Sequence, residues 1–127
     1  VLRLMKKPEN NNFEGFAKEF KEASKRAGKP KQAIVPYYIA SHPGSDVHAM
    51  IDLALFLKRN GYRPDQVQDF IPAPFDIATC MYYTGIDPFT GQEVYIARKL
   101  NERKTQRALM QFFKPENYFE LRRALLE

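Results

Sequence analysis

The chain has 127 residues, a single cysteine, a formal net charge of +5, and 44% hydrophobic against 28% charged residues. That balance fits one globular domain or a large piece of one, and excludes a disordered chain. One thiol excludes an internal disulfide, a zinc ribbon, and an iron–sulfur cluster held by this chain's own cysteines. No apolar run reaches the roughly 18 residues of a membrane span. The opening VLRLMKKPENNN has neither the apolar stretch nor the cleavage site of a signal peptide. A chain opening on Val is expected to be a piece of something longer.

The charge is unevenly laid out. Residues 1–63 carry twelve Lys/Arg and six Asp/Glu, residues 64–97 carry no Lys/Arg and five acids, and residues 98–127 carry eight and four. A nucleic-acid module with one continuous basic stripe is not arranged this way. The middle stretch reads either as a segment facing the interior or a ligand, or as a chance gap in surface cations.

Leu2–Lys7 reads as the end of a helix, closed by Pro8 and the turn-rich Glu9-Asn10-Asn11-Asn12. Asn12 is a fair N-cap. Phe13, Phe16, Ala17, Phe20, Ala23 and Ala27 recur at helical spacing until Gly28 and Pro30 end the helix. Ala33–Ile39 is short, apolar and uncharged. It predicts a strand buried on both faces, with Pro36 at a bulge or a strand end. Ser41-His42-Pro43-Gly44-Ser45-Asp46 is a turn feeding a helix whose inner stripe is Val47, Met50, Ile51, Ala54 and Leu57. Ser45 or Asp46 caps it and Gly61 stops it.

Val67–Ile71 predicts a second strand, closed by Pro72-Ala73-Pro74. Helix, strand, helix, strand argues for βα units and a parallel sheet, with Ile34–Ile39 beside Val67–Ile71. Ligands bind at the carboxyl edge of such sheets. Asp87–Gly91 is a strong turn and Val94-Tyr95-Ile96 a short extended piece. Two helices follow, 101–113 with Leu109, Phe112 and Phe113 as its apolar end, and 115–126 with Tyr118, Leu121, Leu125 and Leu126. Two strands alone make a marginal sheet, so either the helices compensate or the chain belongs to a larger barrel or sheet.

Several residues have two readings. His42 either sits beside the free amides of the following helix as part of an anion site, or is a turn histidine bonded to backbone. His48 reads as surface. Cys80 lacks an evident histidine base and reads as a small buried thiol. Asp69 and Asp76 either bond a polar ligand or cap local structure. Of Tyr37-Tyr38 and Tyr82-Tyr83, one ring of each pair is expected to pack inward at period two. Arg103, Lys104, Arg107, Arg122 and Arg123 form a basic helical face, either solvated or in contact with RNA. No P-loop, GxGxxG, HExxH or GxSxG is present.

Three runs carry a resemblance. VLRLMKKP followed by a helix, a strand and the SHPGSD turn is similar to the second half of a radical S-adenosylmethionine (SAM) barrel. There a "VLKLMNR" helix end precedes a helix, a strand and a "GFPGET"-like turn. FIPAPFDIAT looks like the "SPxPGTxA" stretch after the sixth strand. The long run from SHPGSD to IDPFTG, with RALMQFFKPEN behind it, resembles the YgiQ-type family of radical SAM proteins over nearly the whole chain.

The resemblance implies an α/β fold: the last βα units of a partial (β/α) radical SAM barrel (residues 1–91) plus a C-terminal helical extension (residues 92–127). It implies a [4Fe-4S] cluster on an upstream CxxxCxxC, with SAM on its open iron. SAM would be cleaved reductively to a radical that takes a hydrogen atom from a substrate the resemblance does not specify. It places Ile39, Ala40, Ser41 and His42 at the end of one strand, and Phe70, Ile71 and Pro72 at the end of the next, against the SAM adenine. The implied partners are the upstream half of the barrel, SAM, a substrate and an electron donor, with no membrane. This segment alone is expected to be catalytically silent, to hold neither cofactor stably, and to self-associate through open sheet edges. The alternative is a non-catalytic binding module whose basic C-terminal helices contact RNA or a protein partner.

Overall fold

The computed structural model describes residues 1–8 and 12–126. Its elements run α1 (Phe13–Arg26), β1 (Ile39–Ala40), α2 (Val47–Arg59), β2 (Gln68–Asp69), α3 (Ile77–Thr84), α4 (Leu100–Met110) and α5 (Tyr118–Leu126). A single 3-10 turn, Pro115–Asn117, leads into α5. Residues 9–11 of the expected turn after Pro8 lie outside the described residues. Asn12 caps α1 as expected, its side-chain oxygen accepting from the Gly15 amide at 3.1 Å.

The two strands pair in parallel, Ile39 opposite Gln68 and Ala40 opposite Asp69. The Gln68 amide donates to Tyr38 and the Phe70 amide to Ala40. The expected neighbours are therefore adjacent, but the regular ladder is two residues long on each side. Ala33–Ile39 is not buried on both faces. Val35 is 88% exposed and Tyr37 72%, while Tyr38 and Ile39 are half-buried. Pro36 supplies no ladder donor, and within residues 33–38 no second strand covers the outer face.

The centre of the molecule lies between β1 and helices α2, α4 and α5. Ala40, Met50, Leu109, Met110 and Ala124 form one buried cluster, with Val47, Ile51, Leu53, Ala54 and Leu121 packed around it. Three of those five buried members come from the expected extension, so residues 1–91 and 92–127 share one core. Leu57, Met81, Leu109 and Met110 are fully buried. Each such side chain contributes about 1.5–3 kcal/mol of apolar transfer. The α2 stripe is as the spacing predicts. The α5 stripe is not: Tyr118, Leu125 and Leu126 are exposed and Ala124 is the buried residue. Phe112 and Phe113 fall beyond the end of α4, whose buried residues are Thr105, Gln106, Ala108, Leu109 and Met110.

Helix α3 has no counterpart among the elements that spacing predicts. Asp76 caps its start, donated to by the Ala78 amide at 3.1 Å, and Gly85 ends it with φ 73°. Cys80 lies on its outer side and is exposed, which corrects the expectation of a buried thiol. Just beyond α3, Asp87 closes the 87–91 turn. Its carboxylate accepts from the Phe89 amide and lies 3.3 Å from Lys6 Nζ. The Phe89 N–H first, and Lys6 after it, hold this carboxyl below the usual Asp range.

Candidate functional site

The carboxyl ends of β1 and β2 open into a cavity of about 230 Å³. Ile39, His42, Phe70 and Ile71 line it, together with Met5, Tyr37, Gln68, Asp69 and Asp76. Four of the seven residues expected against an adenine therefore share one wall. Ala40 and Ser41 are buried behind that wall rather than in it, and Pro72 is half-buried beside it. A drug-sized ligand occupies about 300–1,000 Å³, so this volume suits one ring system. A larger groove of about 490 Å³ runs along Ile34–Tyr38 and Tyr62–Gln68. It lies toward the amino end of the strands and shares Tyr37 and Gln68 with the smaller cavity, but not His42, Asp69 or Asp76.

Backbone strain marks both strand ends. Ser41 has φ 62° and Phe75 φ 64°, the left-handed region that costs an L-residue roughly 1–2 kcal/mol. Aligned on SHPGSD and PAPFDIA, these are the positions where the "GFPGET" and "SPxPGTxA" patterns carry glycine. Gly44, in the same turn, has φ 83°. A Cβ there would run into the Leu4 side chain, and its amide donates to Tyr95 at 2.8 Å.

His42 is 3% exposed. Its Nδ1 lies 2.9 Å from the Pro43 carbonyl, which can only accept, so Nδ1 carries the proton and Nε2 the lone pair. Its ring packs edge-on against Phe70 at 5.2 Å. Burial pushes its pKa below the ordinary histidine value, so the ring is neutral at pH 7. The backbone-bonded reading thus holds, and the cavity wall contains no residue of α2. Asp46, not an external anion, satisfies the first turn of α2, accepting from Ala49 at 2.8 Å. His48 is exposed, as expected.

Asp76 both caps α3 and faces the cavity. Asp69 accepts from Arg107 at 2.5 Å through Oδ2, while its Oδ1 is buried with no partner. Of the tyrosine pairs, Tyr82 packs on Phe70 at 5.8 Å and Tyr83 is exposed. One ring of that pair does turn inward, although on a helix rather than a strand.

Three residues of the basic face bond within this chain, while Lys104 and Arg122 are exposed. Arg103 donates to the Phe70 carbonyl at 3.4 Å, Arg107 holds Asp69, and Arg123 pairs with Glu120. Arg98 donates to the Tyr82 and Tyr83 carbonyls at the end of α3. Gln106, which no sequence motif singles out, is fully buried. Its Oε1 accepts from the Ser41 amide at 2.8 Å and its Nε2 donates to the Ser45 carbonyl at 2.6 Å. Gln111 acts similarly on the loop before β2, donating to the Asp65 carbonyl at 2.7 Å. A glutamine at an inward helical position beside Leu109 and Met110 was the available signal for a buried hydrogen-bonding role.

The molecule is thus a small helical domain built on a two-stranded parallel sheet, with its polar cavity at the sheet's carboxyl edge. Residues 65–127 match a family model described as a domain of unknown function, DUF3362. The whole chain is 46% identical to a UPF0313 protein of Clostridium botulinum strain 657, over 127 residues that make up 20% of that relative. It is 44% identical to a UPF0313 protein of Methanocella arvoryzae over 99% of this chain and 21% of the relative. With a UPF0313 protein of Geobacter sulfurreducens it shares 47% identity over 91% of this chain and 19% of the relative. The chain belongs to the UPF0313 (YgiQ-type) family, the one its sequence resembles. It spans about a fifth of the length of these curated relatives. No solved structure matches it. Among the described residues no helix is long and apolar enough to cross a membrane.

Proposed function

We propose that this chain is the distal part of a cytoplasmic radical SAM enzyme, and that its two strand ends contribute the surface against which the adenosyl group of SAM packs. The observation that carries the reading is the meeting of Ile39, His42, Phe70 and Ile71 in one cavity at the carboxyl edge of a parallel pair. Membership of the UPF0313 family supports it.

The residues present fit the adenosyl portion. Ile39, Phe70 and Ile71 offer apolar walls to a flat ring, the Asp69 Oδ1 is a buried acceptor without a partner, and Gln68 and Asp76 provide polar edges. Neutral His42 accepts a hydrogen bond through Nε2 rather than donating one. The residues do not fit the cluster. The only thiol is exposed, and no three His, Cys, Asp or Glu among the described residues converge on a metal position. The cluster's thiolates therefore belong, on this reading, outside residues 1–127. Radical chemistry is supplied by the bound cofactors. This segment's work is to orient the adenosyl group and to keep water from it.

The outer face at Val35, which is 88% exposed and lies outside the cavity, is assigned to the upstream strands of the same barrel. The test is anaerobic reconstitution of the full-length protein with iron and sulfide, followed by SAM binding and reductive SAM cleavage. Binding that falls on Phe70→Ala supports the reading, and a reconstituted protein that neither binds nor cleaves SAM overturns it. Residues 1–127 alone are expected to show no visible cluster absorbance after the same treatment.

A further inference from the structure

We propose that α4 is a brace that positions the cavity, with Gln106 as its central positioning residue, locking the Ser41–Ser45 turn in its strained form while Arg103 and Arg107 fix the end of β2. The ligand's identity rests on the function proposed above; the brace itself rests only on this chain's geometry.

A residue held at positive φ without being glycine persists only where its surroundings over-determine it. Ser41 sits at φ 62°, is 3% exposed, and its Oγ is buried with no partner, so its own side chain contributes nothing to holding the turn. The Gln106 amide takes the Ser41 N–H with one end and the Ser45 carbonyl with the other, spanning both ends of the turn that carries His42. One position after Gln106, Arg107 holds Asp69, and one turn before it Arg103 reaches the Phe70 carbonyl. Both strand ends that form the cavity are thus tied to one short stretch of the same helix. That helix cannot drift, because Leu109 and Met110 beside Gln106 are in the core. The C-terminal segment therefore sets the distance between the two cavity walls.

The experiment uses the full-length protein with Gln106→Met, Arg107→Gln, Arg107→Lys, Ser41→Gly and the Ser41→Gly/Gln106→Met double variant. Amide exchange at residues 41–45 and 69–71, thermal midpoint and SAM affinity are read on each. Gln106→Met should speed exchange at residues 41–45 by about tenfold or more, the scale of one lost buried hydrogen bond. SAM affinity should fall by a similar factor. Adding Ser41→Gly should recover most of that affinity, because glycine reaches the same backbone conformation unaided. A residue that merely filled the core would not be rescued in this way. Arg107→Gln should loosen residues 69–71 and weaken SAM binding with its midpoint nearly unmoved, and Arg107→Lys should retain both.

Unchanged exchange in Gln106→Met and Arg107→Gln overturns the brace. So does full SAM affinity in both variants. If the parent protein binds no SAM while the exchange and rescue pattern holds, the brace stands and the SAM reading falls. Should Gln106→Met fail to fold, Arg107→Gln and Arg107→Lys decide the matter alone.

Discussion

α1 and α4 are both amphipathic helices, of 14 and 11 residues, and they end up in opposite states. α1 has the more regular apolar stripe, with phenylalanines at 13, 16 and 20. Yet Ser24 is its only buried residue and Phe16 is 51% exposed. α4 reads Leu-Asn-Glu-Arg-Lys-Thr-Gln-Arg-Ala-Leu-Met, mostly polar, and buries five residues including a threonine and a glutamine. Burial follows what a face meets, not how apolar it is. Within this chain α4 packs on α2, α5 and β1, whereas α1 packs extensively on no other helix or strand and sets Phe13 edge-on to Tyr62 at 6.0 Å.

That contrast can be broken by substitution. Leu109→Ala should cost about 2–5 kcal/mol and Phe16→Ala less than about 1 kcal/mol in urea unfolding. Equal costs would mean that α1 has packing the structure does not contain. Gln106→Leu should cost about 2–4 kcal/mol, because it leaves a buried N–H and a buried carbonyl unpaired. A neutral result would dissolve the distinction between polar and apolar anchoring of α4.

Ser41→Gly should stabilise by up to about 1 kcal/mol, since it relieves a left-handed serine and removes an unpartnered hydroxyl. His42 sharpens the comparison through pH. Its folded pKa lies below the unfolded value, so the unfolded chain takes up the proton first as pH falls through about 6.5. Stability should therefore drop between about pH 8 and about pH 5, and His42→Asn should flatten that slope. Least affected is Arg123→Ala, expected within about 0.5 kcal/mol because its partner Glu120 is one turn away and both are partly solvated.

The sequence carried the order of elements well where two signals agreed. α2 shows a capping Asp46, an apolar stripe and a stopping Gly61, and all three hold in the structure. The parallel pairing was legible from the β-α-β alternation, and the cavity from its place at the strand ends. α3 was missed although Asp76 and Gly85 bracket it with cap residues. Its run of alanine, threonine, cysteine and tyrosines has no amphipathic contrast, so periodicity was silent. The face of the Ala33–Ile39 segment could not be read either, because apolar composition does not record whether a neighbour is present. Nor could the roles of Gln106 and Arg107, whose partners lie 65 and 38 residues away at Ser41 and Asp69. Composition points to a solvated basic face, and Lys104, Arg107, Arg122 and Arg123 are exposed; what it does not record is that Arg103 and Arg107 also bond to the Phe70 carbonyl and to Asp69.

The length of those connections bears on the order in which the molecule is made. Gln106 closes on Ser41 and Ser45 across 65 and 61 residues, and Gln111 closes on Pro64 and Asp65 across 47 and 46. A chain leaving the ribosome gains the Gln106 bridge across the turn at Ser41 only once α4 has also emerged, since that side chain is made well after the turn it holds. Ser41 therefore waits through 65 residues of synthesis for Gln106, and Asp69 through 38 for Arg107. Interrupted or truncated synthesis before Gln106 should yield a chain that has every cavity residue and no cavity.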